Sequence, residues 1–264
     1  MNNILYTGRS ALSALQKKID TVTNNIANMN TTGYKRLDQN FQELLRNEIG
    51  QLGTPMTEEL ERKAPTIGSG VKVGDTYRIF EQGILTPSGN PLEVAIEGNG
   101  FFGFEDENGD LLLSRVGAFS VNEDGELIDR NGYRVTIDDD EDLNDYKIDS
   151  IIIDSTGEMF AENEDGEMES VGKIILYDIH NKERLLDAGE GYYRVPDDVE
   201  LLESTNRSDA EFFGTVNQGF SEMSNVEAGK EMINLMILER SYQLNARTLD
   251  AADKMWQMAN NLRR

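Results

Sequence analysis

The sequence contains no cysteine and a single histidine, His180. The absence of cysteine excludes disulfide bonds and any metal site built on thiolates, and one imidazole leaves little scope for histidine chemistry. No apolar run approaches the ~20 residues that a membrane-spanning helix needs. The N-terminus has no short basic segment followed by an apolar block, so we expect no cleaved secretion signal and no membrane insertion.

Basic residues are scarce, since 25 Lys and Arg face 49 Asp and Glu in a chain of 264 residues, for a net charge of −24. The excess is uneven: residues 1–50 hold six Lys and Arg against four Asp and Glu, and residues 225–264 hold six against five. Residues 51–224 therefore carry −27. Such a charge repels nucleic acid and anionic lipid. This division predicts ends that associate and a centre that faces solvent.

Both chain ends are predicted to be helices with a narrow apolar seam, because apolar residues recur at alternating steps of three and four. The N-terminal seam, with one gap at Gly8, consists of Leu5, Leu12, Leu15, Ile19, Val22 and Ile26. The C-terminal seam consists of Leu235, Leu238, Tyr242, Asn245, Leu249, Ala252, Trp256 and Ala259. Ser224 or Asn225 is placed to cap the second helix.

A second apolar row on the C-terminal helix recurs every seven residues: Ile237, Leu244, Ala251 and Met258. It lies on a different face from the seam. A helix with two apolar faces needs more than one partner. We therefore expect the two ends to pair within one chain and also to offer a surface to neighbouring copies.

The centre has the alternation of short strands, separated by tight-turn pairs such as Asn108-Gly109, Asp124-Gly125, Asn131-Gly132 and Asp165-Gly166. The predicted strands begin with the alternating residues around Val71–Ile79 and Leu92–Ile96. Further strands are predicted at Phe101–Phe104, Leu111–Val116, Ala118–Val121, Tyr133–Ile137, Ser150–Ile153 and Lys173–Ile179. The short spacing argues against a parallel α/β sheet, and residues 54–70 have the composition of an extended linker.

Together these patterns predict an α+β fold with a discontinuous α-helical coiled-coil domain and a central antiparallel all-β domain. The coiled-coil domain comprises residues 1–35 and 225–264, and it is the expected assembly surface. Residues 36–70 are an extended linker region, and residues 71–224 form the β-rich domain.

Candidate sites for catalysis or cofactors are weak. Residues Gly98–Gly103 match a dinucleotide-binding glycine pattern, but that pattern requires a following helix, whereas Phe101–Phe104 continues as strand. A hairpin turn between two strands explains it better. The acidic clusters at 106–110, 122–126 and 138–145 do not fit the register of a helix–loop–helix calcium site. We expect no enzyme activity, cofactor or metal; a calcium-binding or carbohydrate-active surface protein is the alternative of another class.

Specific motifs beside the seams resemble the flagellar rod/hook protein family. The N-terminal match is Asn24-Asn25-Ile26-Ala27-Asn28 followed by Thr32-Gly33-Tyr34-Lys35. The C-terminal match is Ser224-Asn225-Val226, then Glu231-Met232, Leu235-Met236 and Glu239-Arg240-Ser241-Tyr242, then Asn245. The centre contributes Gly83, residues 87–92 and residues 95–102. The motifs are colinear over roughly the whole chain.

The resemblance implies a structural subunit of the bacterial flagellar basal-body rod, in the cell envelope, that is exported through the flagellar type III apparatus. It implies a helical homopolymer that contacts other rod and hook proteins and transmits torque from motor to hook. Chain length and an insert at 51–70 favour a distal position in the rod, with a proximal or minor axial position as the alternative. Asn28, Gly33, Tyr34, Ser224, Asn225 and Val226 join the seam residues as expected interaction residues.

Overall fold

The computed structural model describes residues 2–43, 46–48, 66–68, 70–106, 108–138, 143, 146, 150–163, 166–196, 198–205 and 212–262. Their contacts divide the chain into two compact units. The helical unit comprises residues 1–27, 37–77 and 227–264, and the β unit comprises residues 28–36 and 78–226. Most of the predicted linker at 54–70 and most of the acidic run 138–145 lie outside the described residues.

The helical unit is built on two long helices, α1 at Asn2–Ala27 and α2 at Ala228–Asn261, which pack on each other. Both helices follow the predicted seams. Val22 is buried and the other α1 seam residues are partly buried. On α2, Leu235, Leu238, Tyr242 and Leu249 are partly buried, whereas Trp256 is 44% exposed. The seam spacing therefore marks the face that each helix turns away from solvent along most of its length.

Gly8, the gap in the α1 seam, is where the two helices approach closely. A Cβ atom at this position would come within 2.7 Å of Leu249 Cδ2, which is shorter than a normal contact between carbon atoms. The missing side chain makes room for the leucine of the partner helix. The gap in the apolar pattern is thus a packing feature of the seam.

Short strands of the helical unit are attached to α1 by side-chain hydrogen bonds. β1 at Leu37–Glu43 pairs with β4 at Val71–Arg78, and β2 at Arg46–Glu48 pairs with β3 at Thr66–Gly68. The buried Asn25 amide donates to Leu37 O and accepts from Leu37 N, each at 2.9 Å. Ser10 Oγ accepts from Val71 N at 3.2 Å. Contacts thus group residues 37–77, which were not predicted to belong with the helices, with α1 and α2.

The β unit contains a nine-stranded antiparallel sheet and a four-stranded antiparallel sheet among its described residues. The nine strands are β7 (Phe101–Glu105), β8 (Leu111–Ser114), β9 (Phe119–Val121), β10 (Leu127–Asp129), β11 (Arg134–Val135), β16 (Leu176–Asp178), β17 (Leu186–Gly189), β18 (Tyr192–Arg194) and β19 (Leu202–Glu203). The four strands are β12 (Ile137–Asp138), β13 (Ile152–Ile153), β14 (Glu158–Glu162) and β15 (Met168–Ile174). Two further antiparallel pairs join β5 (Leu85–Pro87) to β21 (Phe220–Glu222) and β6 (Val94–Glu97) to β20 (Thr215–Gln218).

The central strand β7 pairs with β8 on one edge and with both β11 and β16 on the other. The chain leaves the large sheet at Thr136, forms the four-stranded sheet, and returns at Ile175, whose N–H donates to Thr136 O at 3.2 Å. The predicted strands Tyr133–Ile137 and Lys173–Ile179 are therefore each split in two. The sequence pattern could not show these breaks, because apolar residues continue across both of them.

The predicted tight turns at Gly109, Gly125 and Gly132 are confirmed: each glycine has a φ of +79° to +86° and lies between antiparallel neighbours. The prediction of a hairpin at Gly98–Gly103 is wrong. β6 pairs with β20, whereas β7 pairs with β8, β11 and β16. The glycine turn joins two strands of different sheets, with strand on both sides as expected.

Two apolar clusters form the core of the β unit. The larger lies between the sheets and includes Phe102, Phe104, Ile153 and Ile174. The smaller consists of Phe101, Leu113, Tyr177 and Tyr193, and Tyr193 is 1% exposed. Burial raises the pKa of Tyr177 and of Tyr193 from 10.0 to about 12, because the interior disfavours the phenolate.

A first prediction concerns the close approach at Gly8. Gly8→Val lowers the free energy of unfolding of the helical unit by about 1–3 kcal/mol, because the added side chain overlaps Leu249. The same substitution costs much less in a Leu249→Ala background, where the opposing side chain is gone. Thermal unfolding followed by far-UV circular dichroism checks this. An equal cost in both backgrounds contradicts the packing role of Gly8.

A second prediction concerns the buried tyrosines. Between pH 10 and pH 12 the tyrosines of the unfolded chain ionise while Tyr177 and Tyr193 of the native β unit keep their protons. The native state then binds more protons than the unfolded state, so stability falls as pH rises through this window. Urea unfolding at about pH 9.5, 10.5 and 11.5 measures the slope, from about half a unit below the normal phenol pKa to about one and a half units above it. Tyr193→Phe reduces the slope; an unchanged slope contradicts the prediction.

Candidate functional site

Three segments of the β unit meet at one place, and each of them contains residues of the motifs that gave the family resemblance. They are residues 28–36, 78–83 and 220–226. Gly33 N donates to Glu222 O at 2.8 Å, Ile79 N donates to Arg36 O at 2.9 Å, and Arg36 N donates to Asn225 Oδ1 at 2.7 Å. We call this meeting point the junction. Residues 28 and 226 are close in sequence to α1 and α2, so the junction joins the chain segments that adjoin the two helices.

The centre of the junction is a cluster of charged side chains that are almost entirely buried. The side chains of Lys35, Glu222 and Arg115 are 1%, 0% and 3% exposed. Lys35 Nζ donates to Glu222 Oε1 at 2.6 Å and to Glu81 O at 2.9 Å. Arg115 Nη1 lies 3.5 Å from Glu222 Oε2, and Arg115 Nη2 donates to Gly98 O at 2.7 Å.

The Glu222 carboxylate receives a further hydrogen bond from Gly83 N at 2.8 Å. Its neighbours therefore come from three separate parts of the sequence, at 35, 83 and 115. A buried charge is stable only when it is paired and its remaining polar atoms are satisfied. This requirement links Glu222 to all three of these parts of the sequence, because the loss of any one of them would leave a buried polar or charged atom without its partner.

Two cations share one carboxylate in this cluster, and the pKa of each cation is lowered chiefly by burial. Burial lowers the pKa of Lys35; the attraction of Glu222 opposes this and the nearby Arg115 adds to it. Burial also lowers the pKa of the Arg115 guanidinium, against the attraction of Glu222 and Asp178. Arg115 lies over the Phe101 ring, 5.3 Å from its centroid, an arrangement that offsets part of the cost of desolvating a cation.

Glycines allow the segments of the junction to approach. Gly33 has φ +68°, and a Cβ there would lie 2.5 Å from Val116 Cγ2. At Gly83 a Cβ would lie 1.9 Å from the carbonyl oxygen of Met223, so no other residue fits without moving the backbone. These two glycines belong to the motifs, and steric contact gives the physical reason for their presence.

The cap predicted at Ser224 or Asn225 is wrong. α2 begins at Ala228 with Glu227 in the cap position and no side-chain cap hydrogen bond. Asn225 is engaged in the junction instead, where Nδ2 donates to Ile79 O at 2.8 Å and to Glu81 O at 3.0 Å. The buried Ser224 accepts from Val226 N at 3.2 Å. A local cap and a long-range bridge use the same residue types, which is why sequence spacing could not distinguish them.

The remaining predicted interaction residues of the motifs lie at the edge of the junction. Asn28 and Tyr34 line a cleft of about 380 Å³ together with Arg78, Asp129 and Tyr192. Arg78 lies 5.7 Å from the centroid of the Tyr34 ring and pairs with Asp187. Tyr192 donates to Asp129, whose pKa is raised by burial. Val226 is partly buried.

The sequence reasoning missed Glu222 and Arg115. Glu222 ends the strand Phe220–Glu222, in which Phe220 is 38% exposed and Glu222 is 3% exposed, the reverse of the usual preference. Arg115 directly follows β8. A signal was available only for Lys35, as part of the motif Thr32–Lys35, and nothing in the spacing indicated its partners.

The C-terminal helix carries a second face that is apolar and exposed. Ile237, Leu244 and Met258 are 58%, 51% and 59% exposed. At about 100° per residue they lie roughly 100° to 180° around α2 from Leu238 and Leu249, on a face turned away from the seam. The neighbouring Ile233, Met236 and Met255 are 59%, 67% and 52% exposed and widen this face. We call it the outer face of α2.

Within the described ranges, no helix combines the length and apolarity needed to cross a bilayer. Over those same ranges, no three His, Asp or Glu side chains are grouped as metal ligands.

A helical unit made from both chain ends, an exposed apolar helix face and a β unit with a buried junction are typical of a structural subunit. Family models match in three places: flagella basal body rod protein at residues 5–35, flagellar hook protein FlgE/F/G D1 domain at 95–169, and flagellar basal body rod FlgEFG protein C-terminal at 217–262. The chain belongs to the flagellar basal-body rod protein family and is a structural subunit of the flagellar basal body, not an enzyme.

Full-length relatives support this assignment. The chain is 31% identical to flagellar basal-body rod protein FlgG of Borreliella burgdorferi, over 100% of both chains. It is 32% identical to FlgG of Caulobacter vibrioides and 30% identical to flagellar hook-basal body complex protein FlhP of Bacillus subtilis, each over 98% of both chains. Family membership supports a structural subunit and not the alternative of a calcium-binding or carbohydrate-active protein.

A third prediction tests the junction. Glu222→Gln lowers the free energy of unfolding of the β unit by about 3–5 kcal/mol, because two buried cations lose their counter-charge. The matched control is Asp187→Asn, which makes the same chemical change in a pair whose acidic side chain is 48% exposed and costs at most about 1 kcal/mol. Urea unfolding at neutral pH measures both. Equal costs contradict the proposed importance of the cluster.

Proposed function

We propose that this protein is a rod subunit that polymerises through its helical unit into a helical tube transmitting torque from motor to hook. The observation that carries the proposal is the outer face of α2, which is apolar, exposed and turned away from the seam. Contiguous exposed apolar surface of this kind is typical of interaction sites. The proposed occupant is a second copy of the chain, as expected for a rod subunit. The outward residues of α1 that follow Tyr6 are mainly polar and offer no comparable apolar surface.

In this proposal α1 and α2 pair as a coiled coil within one chain. The seam residues from Leu5 to Ile26 and from Leu235 to Trp256 hold that pair together, and the close approach at Gly8 supports it. The outer face of α2 then contacts neighbouring subunits. The motif residues Asn28, Gly33, Tyr34, Ser224, Asn225 and Val226 act indirectly, since they stabilise the junction that joins the segments next to each helix.

The proposed position is the distal rod. Two relatives that match at full length with 31% and 32% identity are named flagellar basal-body rod protein FlgG. The match to a hook-basal body complex protein at 30% identity makes a proximal or other minor axial position the second candidate. Neighbouring rod and hook proteins are the proposed partners. Export through the flagellar type III apparatus without a cleaved signal, into the cell envelope and the periplasm of a Gram-negative cell, completes the proposal.

A fourth prediction separates assembly from folding. Ile237→Asp places a charge on the outer face, where the side chain is 58% exposed in the single chain, so the monomer keeps its helicity and stability. Assembly is lost, because the carboxylate would be desolvated between copies. Gln257→Asp is the matched control: it adds the same charge at an exposed position between the outer face and the seam, and it leaves assembly intact.

Sedimentation velocity of the full chain over a concentration series measures assembly, and far-UV circular dichroism measures helicity. Leu249→Asp gives a second comparison, since it disrupts the seam itself and lowers helicity as well as assembly. If the Ile237→Asp variant assembles at the same protein concentration as the wild type, the proposal for the outer face is wrong. Localisation of the tagged protein within isolated basal bodies tests the distal position.

A further inference from the structure

The net charge of the protein is divided between the two units. In the helical unit, 13 Lys and Arg balance 13 Asp and Glu, whereas the β unit holds 12 Lys and Arg against 36 Asp and Glu. The β unit therefore carries the entire net charge of −24. The unit with the apolar outer face is neutral, and the unit connected to it is strongly acidic.

Internal ion pairs already use most cations of the β unit. Among the described residues, the basic side chains paired with acidic groups of the same unit are Lys35, Arg78, Arg115, Arg134, Lys182, Arg184 and Arg194. These pairs leave few cations to meet the acidic groups of another copy. The excess carboxylates are exposed on strands and turns, at positions that include Glu105, Glu158, Glu167, Glu183 and Glu200.

Electrostatic range decides whether this charge matters between copies. A compact unit of about 160 residues has a radius of gyration of about 15 Å, so the centres of two β units in contact are a few tens of ångströms apart. The screening length is about 30 Å at 0.01 M salt and about 8 Å at 0.15 M. Repulsion therefore acts between whole units at low salt and only between touching surfaces at physiological salt.

We infer that assembly of this protein is controlled by ionic strength: the acidic β unit opposes the association that the neutral helical unit drives. The inference rests on the proposed function and adds its regulation. A cation that gathers around the β units, divalent ions above all, lowers the barrier to assembly. Dilution of salt keeps the chain monomeric without any change in its fold.

The test measures assembly of the full chain by sedimentation velocity at about 0.01 M and about 0.15 M NaCl, with MgCl₂ at matched ionic strength as a third condition. We expect the protein concentration at half assembly to fall about tenfold or more between the two NaCl conditions, and to fall further with MgCl₂. An unchanged or rising half-assembly concentration overturns the inference, since attractive ion pairs between copies weaken with salt.

A charge variant separates repulsion from the general effect of salt on apolar contacts. The five exposed residues Glu105, Glu158, Glu167, Glu183 and Glu200 are changed together to Gln, and the matched control changes the same five to Asp, which keeps the charge. The Gln variant assembles at lower protein concentration in 0.01 M NaCl and depends less on salt, whereas the Asp variant matches the wild type. Equal salt dependence in both variants overturns the inference. Absence of wild-type assembly in every condition overturns the proposed function instead.

Discussion

A carboxylate with no access to water imposes strict demands on the chain around it. Glu222 is such a group, and its oxygens are satisfied by Lys35, by the backbone of Gly83 and by Arg115. These partners are spread over most of the sequence, so the carboxylate is satisfied only when the β unit has closed. The junction therefore links the beginning and the end of the chain through charge and hydrogen bonds, while apolar contacts in the two clusters supply the bulk of the burial. Burying charge is an expensive way to join segments, but it specifies their register closely.

The helices and about half of the strands could be predicted from the sequence because each has a period. The seam of α1 and the turns at Gly109, Gly125 and Gly132 follow local rules that need no knowledge of the rest of the fold. The features that the sequence did not predict depend instead on contacts between distant parts of the chain. The splits at Thr136 and Ile175, the sheet-to-sheet turn at Gly98–Gly103 and the partners of Glu222 are all decided by residues distant in sequence. The strands β1, β2, β3, β5, β10, β14 and β17 to β21 were also not predicted. All of them except β1 are only two to five residues long, which is too short to show a period.

The two parts of the candidate site, the outer face of α2 and the junction, also differ in how far the sequence predicted them. The outer face of α2 follows directly from a seven-residue repeat, and the structure leaves that repeat exposed. The junction was indicated only by motifs whose chemistry the sequence did not explain. Asn225 illustrates the limit, since its position suggested a helix cap and the structure gives its amide to the backbone of residues 36, 79 and 81. The charge distribution along the sequence predicted near-neutral ends and an acidic centre. With the unit boundaries of the structure, the helical unit is neutral and the β unit carries the whole net charge.

The excursion of the chain between Thr136 and Ile175 has a topological consequence. Because it departs from and returns to the same edge of β7, with Ile175 N donating to Thr136 O, its ends are adjacent whatever its length. The strand pairing of the large sheet therefore does not depend on how far the outer turns of this segment extend. The inner face of the segment is constrained by packing, since Ile153, Met159 and Ile174 pack in the same core cluster as Phe102 and Phe104. Variation in size can accumulate at the outer turns of this segment while the inner surface and the point of attachment stay constant.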